Sequence, residues 1–260
     1  MELNKIYNED CLEGMKRIPD GSVDMILCDL PYGTTASKWD KILPSEKLWE
    51  QYERIIKDDG AIVLTASGSF THKLIQSKSG LYKYKWIWVK SRPGNFVNAN
   101  NRPMTGFEEV LVFSKAATAN GSVLKMKYNP QGVVEVNKPT KASENRFGSM
   151  AGKRPGHEKY GVQKYTNYPT DVLEFASLSQ SIHPTQKPVA LFEYLIKTYT
   201  DKGDTVLDNC MGSGTTAIAC MNTDRNFIGF ELDKTYYEKS LERIKNHTTQ
   251  TDIFDLLEGE

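Results

Sequence analysis

The sequence predicts an α/β protein: a mostly parallel central sheet with helices on both faces, interrupted by an inserted region. Three observations support this. Val23-Asp24-Met25-Ile26-Leu27-Cys28 is a short apolar run of the kind that forms a strand buried on both sides. Further runs of this type alternate with stretches of helical periodicity. Between 115 and 182 the periodicity fades, and Gly, Pro, Asn, Ser and Lys dominate.

Taken in order, residues 3–8 read as a first strand and 11–17 as a brief helix. Pro19-Asp20-Gly21 turns the chain into the strand at 23–28. A polar loop, 33–40, follows. Leu48, Tyr52, Ile55 and Ile56 lie at helical spacing; Pro44-Ser45 suits the start of that helix and Asp58-Asp59-Gly60 its end. Residues 61–66 read as a strand and 70–78 as a helix. Two apolar segments, 84–89 and 110–113, read as strands joined by a polar loop over 90–105. The inserted region either holds short strands with mobile segments or is largely disordered without a partner. Regularity returns after Pro188: Val189, Phe192, Ile196 and Tyr199 step by three, four and three along one helical stripe. A strand at 205–207, a helix at 213–221, a strand at 226–230 and a final helix at 234–246 complete the chain.

A chain of 260 residues holds one α/β domain with a sizeable core and a smaller inserted unit. Lys and Arg together number 33, as do Asp and Glu, so no global basicity points to nucleic acid. Locally it does: from Lys115 to Tyr165 there are ten Lys/Arg against three Asp/Glu, an excess of seven. The four cysteines, Cys11, Cys28, Cys210 and Cys220, form no Cys-x-x-Cys pair, and no His cluster suggests a metal. They are expected to be reduced and largely buried. No leader and no apolar run of membrane-spanning length is present, so a cytoplasmic location is expected.

Two segments carry chemistry. Asp29-Leu30-Pro31-Tyr32 closes the strand at 23–28, so a carboxylate, a proline-fixed carbonyl and an aromatic ring emerge together at its carboxyl end, where open α/β sheets bind ligands. The set suits a planar heterocycle with an amino group: the ring stacks on Tyr32 while the amino hydrogens go to Asp29 and the Leu30 carbonyl. Taken alone, Asp-x-Pro-Tyr is equally a strand ending in a turn. Far downstream, Val206-Leu207-Asp208-Asn209-Cys210-Met211-Gly212-Ser213-Gly214-Thr215-Thr216 joins a strand to a helix through a glycine turn with unpaired amides, suited to a nucleoside cofactor. Glu231 ends the next strand 17 residues after Gly214, where Rossmann-like sites place the acid that holds a ribose diol.

Together these segments resemble the DNA amino-methyltransferases that use S-adenosylmethionine, and their order resembles the permuted beta group of that family. The likeness covers nearly the whole chain. It implies a Rossmann-like methyltransferase fold made of a catalytic half (1–114), an inserted target-recognition region (115–182) and a cofactor-binding half (183–260). His183-Pro184-Thr185-Gln186-Lys187-Pro188 matches a further motif of the group, which helps enclose the methionine part of the cofactor. Asn8-Glu9-Asp10-Cys11 resembles the segment touching adenine. By resemblance, Asp10, Cys11, Asp29, Lys187, Asp208, Cys210, Gly212, Gly214, Thr215 and Glu231 bind the cofactor, and Asp29, Leu30, Pro31 and Tyr32 form the catalytic element. The chain departs from the pattern at Leu30, usually proline, and at Asn209-Cys210, usually Pro-Phe; Cys210 lacks the ring that packs on adenine.

The resemblance also implies the chemistry. The methyl of S-adenosylmethionine passes to an exocyclic amine, leaving S-adenosylhomocysteine, and neither a metal nor a covalent enzyme intermediate is needed. Asp in the first catalytic position fits adenine N6 best; cytosine N4 is the nearest alternative, and a DNA-binding relative with impaired catalysis another. No Pro-Cys pair supports cytosine C5 chemistry. The base must leave the duplex to react. Double-stranded DNA is the expected partner, with Lys125, Lys127, Lys138, Lys141, Arg146, Lys153 and Arg154 as candidate phosphate contacts and Arg146 and Arg154 as base readers. Asn98, Asn100, Asn101 and Arg102 can also approach the target. The family often dimerises, so a homodimer is one expected assembly.

Overall fold

The structure, a computed structural model, describes residues 1–33, 40, 42–141, 160–177 and 185–258. The chain forms two compact units: Met1–Asn129 with Asp171–Glu260, and Pro130–Thr170.

The first unit is built on an eight-stranded sheet. Its elements in chain order are β1 (Lys5–Tyr7), α1 (Cys11–Met15), β2 (Val23–Cys28), α2 (Ser45–Ile55), β3 (Ile56–Ala66), α3 (Ser69–Ser77), β4 (Tyr82–Gly94) and β5 (Thr105–Phe113). After the second unit's β6 (Val134–Lys141) and β7 (Tyr160–Thr166) come β8 (Val172–Phe175), α4 (Val189–Tyr199), β9 (Thr205–Asp208), α5 (Thr215–Asn222), β10 (Asn226–Phe230) and α6 (Lys234–Glu258). The strand order is β1-β10-β9-β2-β3-β5-β4-β8. Every pairing is parallel except those of β5 with β3 and β4.

All six residues of β2 are buried because the sheet is covered on both faces. Met25 and Leu27 face the cluster containing Leu191, Phe192 and Ile196 of α4 and Ala217 of α5. Ile26 and Cys28 face the cluster containing Leu48, Tyr52 and Ile55 of α2. Strands β3 and β5 divide in the same way, Val63 and Val112 to one face, Leu64 and Leu111 to the other. The buried side of α4, Leu191, Phe192, Leu195, Ile196 and Tyr199, follows the helical repeat, and Pro188 caps its start.

Two element boundaries differ from expectation. Asp58-Asp59-Gly60 does not follow the helix directly; α2 stops at Ile55, and these residues lie inside β3. There the register jumps from Val23↔Ile56 to Met25↔Ala61, so a bulge uses the turn-forming residues that looked like a helix end. The loop expected over 90–105 shrinks to 95–104, since β4 runs to Gly94 and β5 starts at Thr105.

Within the region expected to be inserted, residues 115–129 and 171–175 pack in the first unit, and β8 lies beside β4 at the sheet edge. The second unit is described by an antiparallel pair, Val134↔Thr166 through Lys141↔Tyr160, and the Asn167 side chain donates to the Gly132 carbonyl at 2.6 Å. No helix among the described residues is long and apolar enough to cross a membrane.

Candidate active site

Strands β9 and β2 are neighbours and parallel, in register at Met25↔Val206 and Ile26↔Leu207. The chain leaves β2 toward β3 on one side and leaves β9 toward β10 on the other. Their carboxyl ends therefore flank a topological switch point, the crevice where open α/β sheets take ligands. This is how Asp29 and Asp208, 179 positions apart in the chain, come to line one cavity of about 730 Å³.

On one wall, the Asp29 carboxylate is held from both sides. Its Oδ2 accepts from Lys187 Nζ at 2.7 Å. Its Oδ1 accepts from the Thr65 hydroxyl, and the Tyr32 hydroxyl lies 3.1 Å from it and 3.0 Å from Thr65 Oγ1. Lys187 is only 5% exposed and also faces Glu108 Oε2 at 3.2 Å; Glu108 in turn pairs with Lys90. Burial alone would push Lys187 down, but the Asp29 and Glu108 carboxylates outweigh it and its pKa lies above the ordinary lysine value. Burial would push Glu108 up, but Lys187 and Lys90 hold it below the usual carboxylate range. The result is an alternating chain of four charges, Asp29–Lys187–Glu108–Lys90, ending at the carboxylate that faces the cavity. One face of the Tyr32 ring packs on Phe70, centroids 4.8 Å apart and planes at 25°. Lys187 Nζ lies over the ring, 5.8 Å from its centroid.

On the other wall, the glycine turn is tied to two acids, Asp208 and Glu231, and a third, Asp10, stands nearby in the cavity lining. Asp208 accepts from the Cys210 amide at 3.0 Å and from the Thr216 hydroxyl, fixing the start of the turn to the start of α5. Burial raises its carboxyl to about 6 against the pull of those bonds. Glu231 accepts from the Gly212 amide at 2.7 Å through one oxygen and from the Asp233 amide at 2.8 Å through the other, while its burial raises its pKa. Asp10 caps α1 by accepting from the Leu12 amide at 2.8 Å. Arg243 of α6 braces the turn, donating to the Ser213 carbonyl at 2.9 Å and to Thr215 Oγ1 at 3.2 Å. The Asn209 amide donates toward Cys11 Sγ at 3.7 Å and Cys210 Sγ at 3.5 Å, so two thiols lie where a ring was expected by resemblance. Burial pushes the Cys28 thiol up to about 12, and Cys11 is raised by its bond with Cys210 and by burial, so both are protonated at neutral pH.

Of the expected site residues, Asp10, Cys11, Asp29, Leu30, Pro31, Tyr32, Lys187, Asp208, Cys210, Gly212, Thr215 and Glu231 all line the cavity. Gly214 does not. It caps α5 in the left-handed region at φ 78°, and a Cβ there would sit 3.2 Å from Ser240 Cβ, so its lack of a side chain serves the packing of α6 on the turn. Lys127, expected to meet phosphate, is instead bound to Asp204 at 2.7 Å and Asp201 at 3.1 Å. Lys125 and Lys138 are exposed; Arg146, Lys153, Arg154, His183 and Pro184 lie outside the described residues, as does the side chain of Lys141. Thr65, Glu108, Lys90 and Phe70 escaped sequence reasoning. Their only trace was position: Thr65 near the end of one predicted strand, Glu108 just before another.

Fold and site together define a Rossmann-like α/β enzyme with a carboxylate-aromatic element facing a nucleoside-type turn. The sequence profile of the N6_N4_Mtase family, described as DNA methylase, matches residues 23–242, and the chain belongs to this family. Among curated relatives, it is 26% identical over 263 residues to the type II methyltransferase M.HpaI of Haemophilus parainfluenzae, covering 96% of this chain and 77% of the relative. It is 27% identical over 260 residues to the DNA adenine methyltransferase YhdJ of Escherichia coli (strain K12), covering 94% and 83%. Among solved structures, the complex of M1.HpyAVI with SAM superposes with a TM-score of 0.59 at 26% identity, covering 92% of this chain and 98% of that one.

Proposed function

We propose that this protein transfers a methyl group from S-adenosylmethionine to the N6 amine of an adenine rotated out of duplex DNA. The observation that carries the reading is the shared cavity: the Asp29–Tyr32 element and the Gly212 turn line it from adjacent strand ends. Adenine is favoured over cytosine by the aspartate at the first catalytic position and by the relative named as an adenine methyltransferase.

The residues present fit the cofactor. Asp10, Asp208 and Glu231 give the turn side of the cavity an acidic character suited to a cationic reagent, and a volume of about 730 Å³ lies within the range of small-molecule sites. When bound, S-adenosylmethionine supplies a methyl group activated on a sulfonium. Asp10, Gly212 and Glu231 would hold its nucleoside, with Cys11, Cys210 and Leu232 as the apolar surface near the ring. Lys187 and Thr215 lie between this side and Asp29, since Thr215 Oγ1 lies 3.4 Å from the Lys187 carbonyl.

The catalytic work falls to Asp29. A carboxylate has about four lone-pair positions. Oδ1 is engaged by hydroxyls and Oδ2 by one ammonium, which leaves an acceptor position on Oδ2 for an N6 hydrogen. The Leu30 carbonyl accepts the second hydrogen, with Pro31 holding Leu30 extended. Held by two acceptors, the amine can turn its lone pair out of conjugation and toward the methyl. Asp29 then offsets positive charge developing on N6. Lys187 fixes the carboxylate while Glu108 and Lys90 keep the buried ammonium balanced. Tyr32, in the cavity wall, supplies the aromatic surface for the base, and stacking of this kind contributes ~1–3 kcal/mol. A homodimer, implied by the family resemblance, is read from the mass in solution. The test of function is chemical: DNA incubated with the protein and S-adenosylmethionine is digested to nucleosides, and N6-methyladenine is expected. N4-methylcytosine in its place moves the substrate to cytosine, and unmodified nucleosides refute the proposal.

A further inference from the structure

Strands β4 and β5 do not stop where the sheet does. The last pair between β5 and β3 is Ala66↔Glu109, but β4 and β5 stay paired beyond it, at Trp88↔Glu108, Val89↔Phe107 and Gly94↔Thr105. The excess length therefore projects past the carboxyl end of β3, at the sheet edge where β2 ends and the cavity opens. Lys90 and Glu108, ion-paired at the root of this hairpin, line the cavity. Between Val89↔Phe107 and Gly94↔Thr105 the register shifts, five residues of β4 facing two of β5, so the paired hairpin advances about 7 Å before its tip.

The tip is folded. Asn95 adopts a left-handed conformation at φ 66° and starts a 3-10 turn over Phe96–Asn98. The Ala99 amide donates to the Phe96 carbonyl at 2.9 Å, and the Asn101 and Arg102 amides donate to the Asn98 carbonyl at 2.9 and 3.0 Å. With its amide turned so that the oxygen faces the guanidinium, Asn95 accepts from Arg102 at 2.6 and 2.7 Å, closing the base of the turn. This fixed backbone presents Phe96 and Val97 side by side, 78% and 93% exposed. Two adjacent apolar side chains on a projecting turn gain nothing in water, so a partner is indicated.

Charge identifies the partner. Between Lys90 and Phe107 there are three Lys/Arg, four Asn and not one Asp or Glu, in a chain whose overall net charge is zero. Arg92 and Arg102 flank the apolar pair and are exposed. An apolar point set among cations and amides suits a polyanion with an apolar interior. We infer that the β4–β5 hairpin is a wedge for duplex DNA: Phe96 and Val97 enter the base stack beside the target and occupy the space its extrusion leaves, while Arg92 and Arg102 hold the flanking phosphates. This inference rests on the function proposed above and adds the device that opens the duplex.

The test compares two substrates that differ only in how hard the target is to extrude. Both carry the recognition site, mapped first by sequencing methylated mixed-sequence DNA. One has the target adenine normally paired; the other has it mispaired, so that opening is already easy. The variants are Phe96→Ala/Val97→Ala, and Phe96→Leu, which keeps an apolar point. Phe96→Ala/Val97→Ala should lose about tenfold in kcat/KM on the paired duplex, equivalent to ~1.4 kcal/mol, and under about threefold on the mispaired one. Phe96→Leu should recover most of the loss. A separate variant, Arg92→Gln, should weaken DNA binding evenly across sequences and reduce its salt slope by about one. Equal losses on both substrates, or full activity on the paired duplex, overturn the wedge. A wild-type protein that methylates neither duplex overturns the proposed function itself, a result distinct from an active protein indifferent to the hairpin substitutions.

Discussion

Replacing Lys187 with Met tests the charge chain behind Asp29. Methionine has similar length and no charge, so the substitution removes the ammonium with little change in volume. Asp29 and Glu108 are then left facing each other, their side chains 19% and 13% exposed. Breaking a buried ion pair from one side costs about 3–5 kcal/mol. Here Lys90 still balances Glu108, and the Thr65 and Tyr32 hydroxyls still meet Asp29, so ~2–3 kcal/mol is expected. For a chain of this size that lowers Tm by roughly 4–12 °C. The loss should depend on pH. Glu108, held below its ordinary 4.5, contributes stability that is present above that value and lost as pH falls through its folded pKa. Lys187, raised above its ordinary 10.5, contributes stability that is present below that value and lost as pH rises through its folded pKa. The gap between wild type and Lys187→Met should therefore be widest between about pH 4.5 and pH 10.5 and narrow in acid, where Glu108 takes up a proton. Thermal melts at about pH 7 and about pH 4 measure it. Equal melting temperatures near neutrality, or a gap unchanged in acid, would refute the charge chain.

Four further outcomes follow from contacts at the site. Thr65→Val removes one hydroxyl from Asp29 and should lower kcat by about tenfold without changing cofactor affinity by calorimetry; Tyr32→Phe, which keeps the ring, should cost less than Tyr32→Ala on base binding measured with duplex DNA. Asp208, 3% exposed and raised from 3.8 to about 6, carries a burial penalty of ~3 kcal/mol when ionised. That penalty is present above about pH 6 and disappears as the group takes up a proton on acidification, so Asp208→Asn should match or exceed the wild-type Tm at about pH 8 and lose that advantage below about pH 4, as read by melting curves. Gly214→Ala must place a Cβ at positive φ and 3.2 Å from Ser240, and denaturant titration should show a loss of ~1–3 kcal/mol.

What the sequence revealed and what it hid have physical reasons. The buried runs at 23–28 and 226–230 were legible because strands covered on both faces are continuously apolar. Their polar extensions were not: β4 past Lys90 and β5 before Glu109 run on beyond the strands that flank them, where nothing apolar is required. The bulge in β3 hid behind Asp58-Asp59-Gly60 because a bulge and a helix end draw on the same residue types. At the site, the residues emerging from single strand ends could be read, since each is a local signal. The partners of Asp29 could not. Thr65 and Lys187 reach it across 36 and 158 positions, Glu108 stands behind Lys187, and only the order of the strands brings them together. Gly214 shows the limit of a local motif: it assigned the residue to the cofactor and gave no sign of the neighbour it meets in space, Ser240 of α6.

The most direct measurement follows a labelled methyl group into DNA with wild type and Asp29→Asn, alongside calorimetry with S-adenosylmethionine. The wild type should place the label on adenine N6. Asp29→Asn keeps the shape but lacks the charge, and should bind the cofactor almost as before while transfer falls by a thousandfold or more, about 4 kcal/mol. A variant that methylates at the wild-type rate, or a wild type whose label lands elsewhere than adenine N6, would contradict the account.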